Sequence, residues 1–565
     1  MQTTRWISFL SLAGVMIAGC GDNGNTTSTT TSNSNSSSSG GGGGGGTGGS
    51  GGARCNVESS TEAGVVAVDS GLVRGTKESS SWVYRGIPYV APPIGDKRWK
   101  PPELAACWDG VKDANAFGAV CPQFDKTAQP IGNEDCLTLN LWVPDPASAG
   151  QGPFPVLFFI HGGGNVQGSS SQAAVGTAPM YNGLDPSETN KAIVVTINYR
   201  LGPLGFMTLP ELSQESAWGA SGNYGLLDQL AALEWVQRNI AAFGGDPAKV
   251  MVFGESAGAV DTITLVASPL SKGLFSAALA QSGGATSTPL KDAEMAMADR
   301  VATSSCASAS DRIGCLRGKT AYELLADLPG IINIGGLSVG SAAGNYGPVI
   351  DGHVLPKSTS LIYAAGEHNH MPFALGTNSE ELATFMAITV NTEAEFQAVI
   401  NQSFGPLAPD VLAAYPVADY PSPQDALVAV YSDMRFTCPN RMLAVSIAKN
   451  QTEPVYRYFF SRRATTPQGE KPAQHGIELL YVFHTLTDIP LYNPAQADLD
   501  LSDAMMGYWG RLGATGDPNG AGAVMWPKYD PVKDSYLRLD SPISGGEGVR
   551  TAQCDAWEQI LTKLP

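Results

Sequence analysis

Short apolar runs dominate the chain, and their flanks change along it. Between 55 and about 90 they alternate with polar residues. Gly64 to Val68, Gly71 to Gly75 and Trp82 to Ile87 therefore read as short strands. Further on, the pattern becomes apolar strand, turn and helix. Val156 to Ile160 is a buried strand running into glycines, and Ala192 to Asn198 is a second apolar, β-branched run. Leu226 to Asn239 places Leu230, Leu233 and Val236 at helical spacing. Val250 to Phe253 predicts a short strand, followed by a helix from Ala257. This alternation predicts an α/β fold around a largely parallel sheet. No second linker and no repeat interrupts 55–565, which reads as one large domain with loop insertions.

The N-terminus follows different rules. Arg5 precedes an apolar stretch, Trp6 to Gly19, too short to span a bilayer as a helix. It ends in Ile17-Ala18-Gly19-Cys20, which resembles a bacterial lipobox, so residues 1–20 read as a lipoprotein signal with Cys20 as the acylated residue. The alternative is an ordinary secretory signal with a chance cysteine. Gly21 after the cysteine points to outer-membrane sorting. Residues 21–54, rich in Asn, Thr, Ser and Gly, cannot bury a core and read as a disordered tether with a reach of about 30 Å. The expected location is the cell envelope or the exterior, with membrane contact only through the N-terminal anchor. A formal net charge of -18 argues against a nucleic-acid partner.

Apart from Cys20, eight cysteines remain: Cys55, Cys107, Cys121, Cys136, Cys306, Cys315, Cys438 and Cys554. An even set in an exported chain favours disulfides, although the spacing leaves connectivity open. A metal is not expected. There is no C-x-x-C pair, and His368 and His370 lack a third ligand, so both read as exposed or packing residues.

The chemistry concentrates in two glycine-flanked turns. Gly254-Glu255-Ser256-Ala257-Gly258 lies between a predicted strand and helix, the context of a nucleophile elbow. There a strained turn pushes the serine hydroxyl outward, and the helix N-terminus faces the developing negative charge. His161-Gly162-Gly163-Gly164 follows the Val156 strand, where backbone N–H groups can line an oxyanion hole. Gly163, Gly164 and Ala257 are the candidate donors. The loop lacks the spacing of a dinucleotide or P-loop site. Chain order in such enzymes runs Ser, acid, His. That order leaves His475 and His484 as bases, and Glu381 or its neighbour Glu380 as the acid.

Taken together, the motifs resemble the type-B carboxylesterase family, which includes the cholinesterases. The blocks are Gly86-Ile87-Pro88-Tyr89 with Pro92-Pro93, Glu134 to Asn140, Asn198-Tyr199-Arg200, Gly222 to Gln229, Ala241 to Pro247, Gln281-Ser282-Gly283, and Thr515 to Asn519 with Trp526-Pro527. The resemblance implies an α/β-hydrolase fold and a serine carboxylic-ester hydrolase. It selects Glu381 as acid and His475 as base, and gives Glu255, Ser282 and Glu478 supporting roles around the triad. It implies the pairs Cys121–Cys136, Cys306–Cys315 and Cys438–Cys554, leaving Cys55–Cys107.

Departures narrow this picture. The Cys121–Cys136 segment has no Trp, and Thr384 replaces an aromatic residue, so recognition of a quaternary ammonium is not expected. Asn165, Ala259 and Leu382 also depart from the family pattern, and those at 165 and 382 put the pocket's shape in question. The expected reaction is two-step acyl transfer on a small-molecule ester, with no cofactor. The rivals are a lipase or polyester or aryl-diester hydrolase, with Leu324 to Gly347 lining or covering the site, and a non-catalytic adhesion or binding module.

Overall fold

A computed structural model describes residues 55–173, 178–330, 346–466, 469–489 and 492–563. The expected signal with Cys20, the expected tether and most of the Leu324–Gly347 segment lie outside the described residues. The centre of the fold is one eleven-stranded sheet. Its middle is parallel, in the spatial order Ile193–Ile197, Phe154–Ile160, Gly245–Glu255, Ala277–Gln281, Phe373–Asn378, Val455–Phe460 and Ser535–Leu539. Antiparallel strands flank it: Thr138–Pro144, Ser81–Pro88 and Thr76–Glu78 on one side, Ser544–Glu547 on the other. Val65–Val68, Gly71–Arg74 and Val111–Asp113 form a separate small sheet.

The continuous apolar strands are explained by burial on both faces. Val156, Phe158 and Ile160 enter one hydrophobic cluster, while Leu157 and Phe159 enter the cluster on the opposite face. Val250 and Val252 likewise alternate with Met251 and Phe253. Helix Tyr224–Asn239 covers the first face through Leu226, Leu230, Leu233 and Val236. Helix Gln496–Thr515 covers the second through Leu501, Met505, Trp509 and Leu512. A third cluster lies among the helices Glu393–Phe404, Ala408–Ala414, Pro423–Ser432 and Thr551–Leu561, and it takes in Leu382.

Four disulfides are present: Cys55–Cys107, Cys121–Cys136, Cys306–Cys315 and Cys438–Cys554. Among the described residues no helix is long and apolar enough to cross a membrane. Leu479–Val482, an apolar run that reads equally as strand, is a helical turn. His484 therefore follows a helix and pairs with Asp185 on the surface. His368 is buried and contacts Gln451, whereas His370 is exposed.

Candidate active site

In a parallel sheet every strand delivers its carboxyl end to the same edge, and connections there build the site. The Gly245–Glu255 strand ends at Ser256, and helix Ala257–Ala267 begins at the next residue. Ser256 takes φ 57° and ψ −119°, a conformation costing about 1–3 kcal/mol for a residue with a side chain. The turn needs its glycines. A Cβ on Gly258 would lie 2.1 Å from the Ile160 carbonyl oxygen, and one on Gly254 would lie 2.3 Å from that of Gly258. Tight packing thus holds the strained serine at the strand end, where it is partly exposed while Glu255 and Ala257 are buried.

The neighbouring strands supply the remaining groups. Phe373–Asn378 leads into Glu381, which is fully buried. Its Oε1 accepts from the Ser282 hydroxyl at 2.6 Å and from the Asn378 N–H at 2.7 Å. Its Oε2 lies 2.7 Å from His475 Nδ1. The two loops are also joined through the backbone, His475 N–H donating to the Glu381 carbonyl at 3.0 Å. Glu380 points elsewhere and pairs with Arg463. His475 Nε2 lies 3.2 Å from Glu255 Oε1, without hydrogen-bond geometry. Among the described residues neither Nε2 nor the Ser256 hydroxyl has a hydrogen-bond partner. Phe436 and Phe385 flank the imidazole, with ring centroids 4.8 and 6.0 Å away.

Glu478 completes the acidic surround. Its oxygens accept from Gln281 Nε2 at 3.1 Å and from Asn378 Nδ2. Gln281 in turn accepts from the Trp509 indole at 3.1 Å. Burial works against charge on His475, but attraction by Glu255 and then Glu381 outweighs it and raises the imidazole to about 9. Burial pushes Glu255 up to about 8, with His475 opposing, and pushes Glu478 up to about 7. These groups share protons as a cluster. His161 behaves differently: burial lowers it to about 4, and it stacks on Tyr199 at 4.5 Å.

The glycine loop adjoins the elbow, since a Cβ on Gly162 would lie 3.0 Å from Ser256 Cβ. Gly163 and Gly164 take φ values of 107° and 65° and are partly exposed. Among the described residues the N–H groups of Gly163, Gly164 and Ala257 have no intramolecular acceptor. Gln123 stitches the loop's far end, accepting from Gly168 N–H and donating to the Gly168 and Cys121 carbonyls. A cavity of about 270 Å³ opens beside it, lined by Phe124, Val166, Gln167, Gly202, Leu325 and Gly330. The two departures at 165 and 382 do not line this cavity. Asn165 turns into a buried polar cluster, and Leu382 packs into the third hydrophobic cluster. No group of His, Cys, Asp and Glu suited to a metal occurs among the described residues.

Sequence reading singled out Ser256, Glu381, His475, Glu255, Ser282, Glu478 and the oxyanion loop, and the structure gathers all of them. It passed over Asn378, Phe436, Trp509 and Asp261. Asn378 stood next to the acid motif, but only the pairing of its strand shows that its amide reaches Glu478. The other three lie in helical segments with nothing local to mark them.

A partly exposed serine in a strained strand–helix turn, with a carboxylate-held histidine and free backbone donors, defines an α/β-hydrolase site. Comparison with known proteins specifies it further. Residues 62–557 match the model of the Carboxylesterase family. The chain is 34% identical over 495 residues to the fumonisin B1 esterase of Sphingopyxis macrogoltabida, covering 85% of this chain and 87% of that protein. It is 33% identical over 507 residues to the para-nitrobenzyl esterase of Bacillus subtilis (strain 168), covering 85% and 95%. A solved PNB esterase structure is similar at a TM-score of 0.74 and 30% identity, covering 87% of this chain and 99% of that one. The chain belongs to the carboxylesterase family and is a serine carboxylic-ester hydrolase.

Proposed function

We propose that Ser256 is the nucleophile, His475 the base and Glu381 the acid of a two-step acyl transfer. The carrying observation is the imidazole: Glu381 holds Nδ1 at 2.7 Å, while Nε2 is buried with its hydrogen-bonding capacity unspent. That nitrogen takes the Ser256 proton as the hydroxyl attacks the ester carbonyl. The free N–H groups of Gly163, Gly164 and Ala257 receive the oxyanion. His475 then passes the proton to the leaving alcohol. In the second step it takes a proton from water, and the acyl group leaves Ser256 as the acid. Glu381, fixed by Ser282 and Asn378, orients the ring, and Glu255 and Glu478 stabilise its charged form.

The substrate is a small ester received by the cavity beside the oxyanion loop. The described site contains no Trp from the Cys121–Cys136 segment, which supports a preference other than choline esters. We further propose that residues 1–20 form a lipoprotein signal acylated at Cys20, that 21–54 is a tether, and that the enzyme works in the cell envelope. The disulfides are compatible with an exported chain.

Ser256→Ala is expected to abolish labelling by a fluorophosphonate probe, and persistent labelling overturns the assignment. In a hydrolysis assay, a series of p-nitrophenyl esters from acetate to palmitate is expected to favour short chains. A sharp rise in rate above substrate solubility would favour a lipase instead.

A further inference from the structure

The oxyanion loop rests on a buried polar chain that the proposed triad does not use. Asn165 follows Gly164 directly and is 2% exposed, at φ 57°. Its side-chain amide lies 3.1 Å from Asp261 Oδ1 and 3.0 Å from the Tyr199 hydroxyl. Asp261 is fully buried on the helix that follows Ser256. Its other oxygen accepts from Gln229 Nε2 at 2.7 Å. The Tyr199 hydroxyl also lies 2.8 Å from the carbonyl oxygen of His161, the residue that opens the glycine loop. One chain of contacts therefore runs from Gln229 through Asp261, Asn165 and Tyr199 to His161, and it joins the nucleophile helix to the residues on either side of Gly162–Gly164.

Counting protons along this chain decides the charge of Asp261. Tyr199 has a single hydroxyl proton, and the His161 carbonyl can only accept it. If Asp261 is ionised, Asn165 must turn its NH2 toward it and present Oδ1 to Tyr199. Tyr199 then faces two acceptors with one proton. Turning the Asn165 amide over exchanges its N and O at the same positions. Every contact is then matched. Gln229 donates to Asp261, the Asp261 O–H donates to Asn165 Oδ1, Asn165 donates to the Tyr199 oxygen, and Tyr199 donates to His161. The matched arrangement requires a proton on Asp261.

The surroundings agree. Among the described residues no cation pairs with Asp261, and burial pushes its carboxyl up to about 7, with Gln229 and Asn165 opposing. The elements packed around its helix carry Asp246, Lys249 and Glu255 on strand Gly245–Glu255, Tyr224, Asp228, Glu234 and Arg238 on helix Tyr224–Asn239, and Tyr363 on helix Thr359–Ala364, with Tyr199 and the stacked His161 beside them; Arg200 pairs with Asp228, Arg238 with Asp69 and Lys249 with Asp246. None of these supplies a positive charge to Asp261.

We propose that Asp261 is a positioning residue that acts in its neutral form: its proton completes a chain that fixes the Gly162–Asn165 loop against the nucleophile helix, and its ionisation loosens the oxyanion donors. This rests on the reading of Gly163 and Gly164 as those donors. An amide at 261 can make the same two contacts without titrating, so Asp261→Asn separates the proton from the shape.

The experiment measures kcat, KM and thermal stability of the full chain, Asp261→Asn and Asp261→Ala from pH 5 to 9, with a short p-nitrophenyl ester. At pH 6 Asp261→Asn should keep kcat within about twofold of the parent, and Asp261→Ala should lose about tenfold. At pH 9 Asp261→Asn should exceed the parent by up to about tenfold in kcat, with KM unchanged. The folded carboxyl lies above its unfolded value near 4, so its contribution to stability is full below that value and is lost as pH rises through about 7. The stability of Asp261→Asn should therefore gain on the parent across that window. Superimposed stability and kcat profiles for the parent and Asp261→Asn overturn the neutral form. A growing stability gap with superimposed kcat profiles overturns the catalytic consequence, and places that failure in the assignment of Gly163 and Gly164 as donors.

Discussion

Replacing Glu255 with Gln removes the carboxylate that faces Nε2 of the His475 imidazole while keeping its shape. His475 stands at about 9 against an ordinary 6.5, a preference for the charged ring of about 3 kcal/mol. Glu255, 3.2 Å from Nε2, is the strongest of the attractions that outweigh burial, and Glu381 and Glu478 remain in the variant. An opposite charge at this distance shifts a pKa by about 1–3 units, so its loss lowers the ring's apparent pKa by about one pH unit or more. As the proposed base, His475 acts in its neutral form, so kcat/KM drops as pH falls through that value. The acidic limb of Glu255→Gln should therefore lie lower by about one pH unit or more. The assay is kcat/KM from pH 5 to 10 on a short p-nitrophenyl ester, corrected for spontaneous hydrolysis and scaled to each enzyme's own plateau. Because Glu255, Glu478 and His475 titrate together, the limb reports the cluster. An unmoved limb, or one displaced upward, would refute the claim that Glu255 holds the proton on the ring.

Two further outcomes test the framework around the site. Gly258→Ala should cost about 3 kcal/mol or more, because its Cβ would meet backbone oxygens of Ile160 and His161 that cannot move independently; a melting temperature within about 2 °C of the parent refutes this. Removing Cys438–Cys554, whose cysteines lie 116 residues apart, should cost about 4–5 kcal/mol against about 2.5 kcal/mol for the nine-residue Cys306–Cys315 link. Equal guanidinium midpoints for the two double-alanine variants would count against the loop-length argument.

What the sequence discloses follows from how local each feature is. The strand–turn–helix at Ser256 is contiguous, so its glycines and apolar flanks announce it. The buried strands show as unbroken apolar runs because both faces are covered. The proposed acid is less local. Glu380 and Glu381 occupy one motif, and it takes the packing of Ser282 and Asn378 around one carboxylate, and Arg463 against the other, to separate them physically. Asn165 was visible only as a departure from a family pattern, suggesting an altered pocket. The structure turns its side chain away from the cavity to Asp261, 96 residues on, a relation with no trace in periodicity. Leu382 is similar: its burial depends on helices contributed by distant parts of the chain.

The hydrogen bond from the Trp509 indole to Gln281 bears on when the enzyme becomes active. Gln281 donates to Glu478, so Trp509 takes part in organising a centre whose proposed nucleophile, Ser256, lies more than 250 positions earlier. A growing polypeptide can form the elbow long before the helix carrying Trp509 exists, yet it lacks that support and the covering of one whole face of the sheet. Contacts of such long sequence separation form late and slowly. Ester hydrolysis should thus appear only once helix Gln496–Thr515 has docked, and its onset after refolding marks that step.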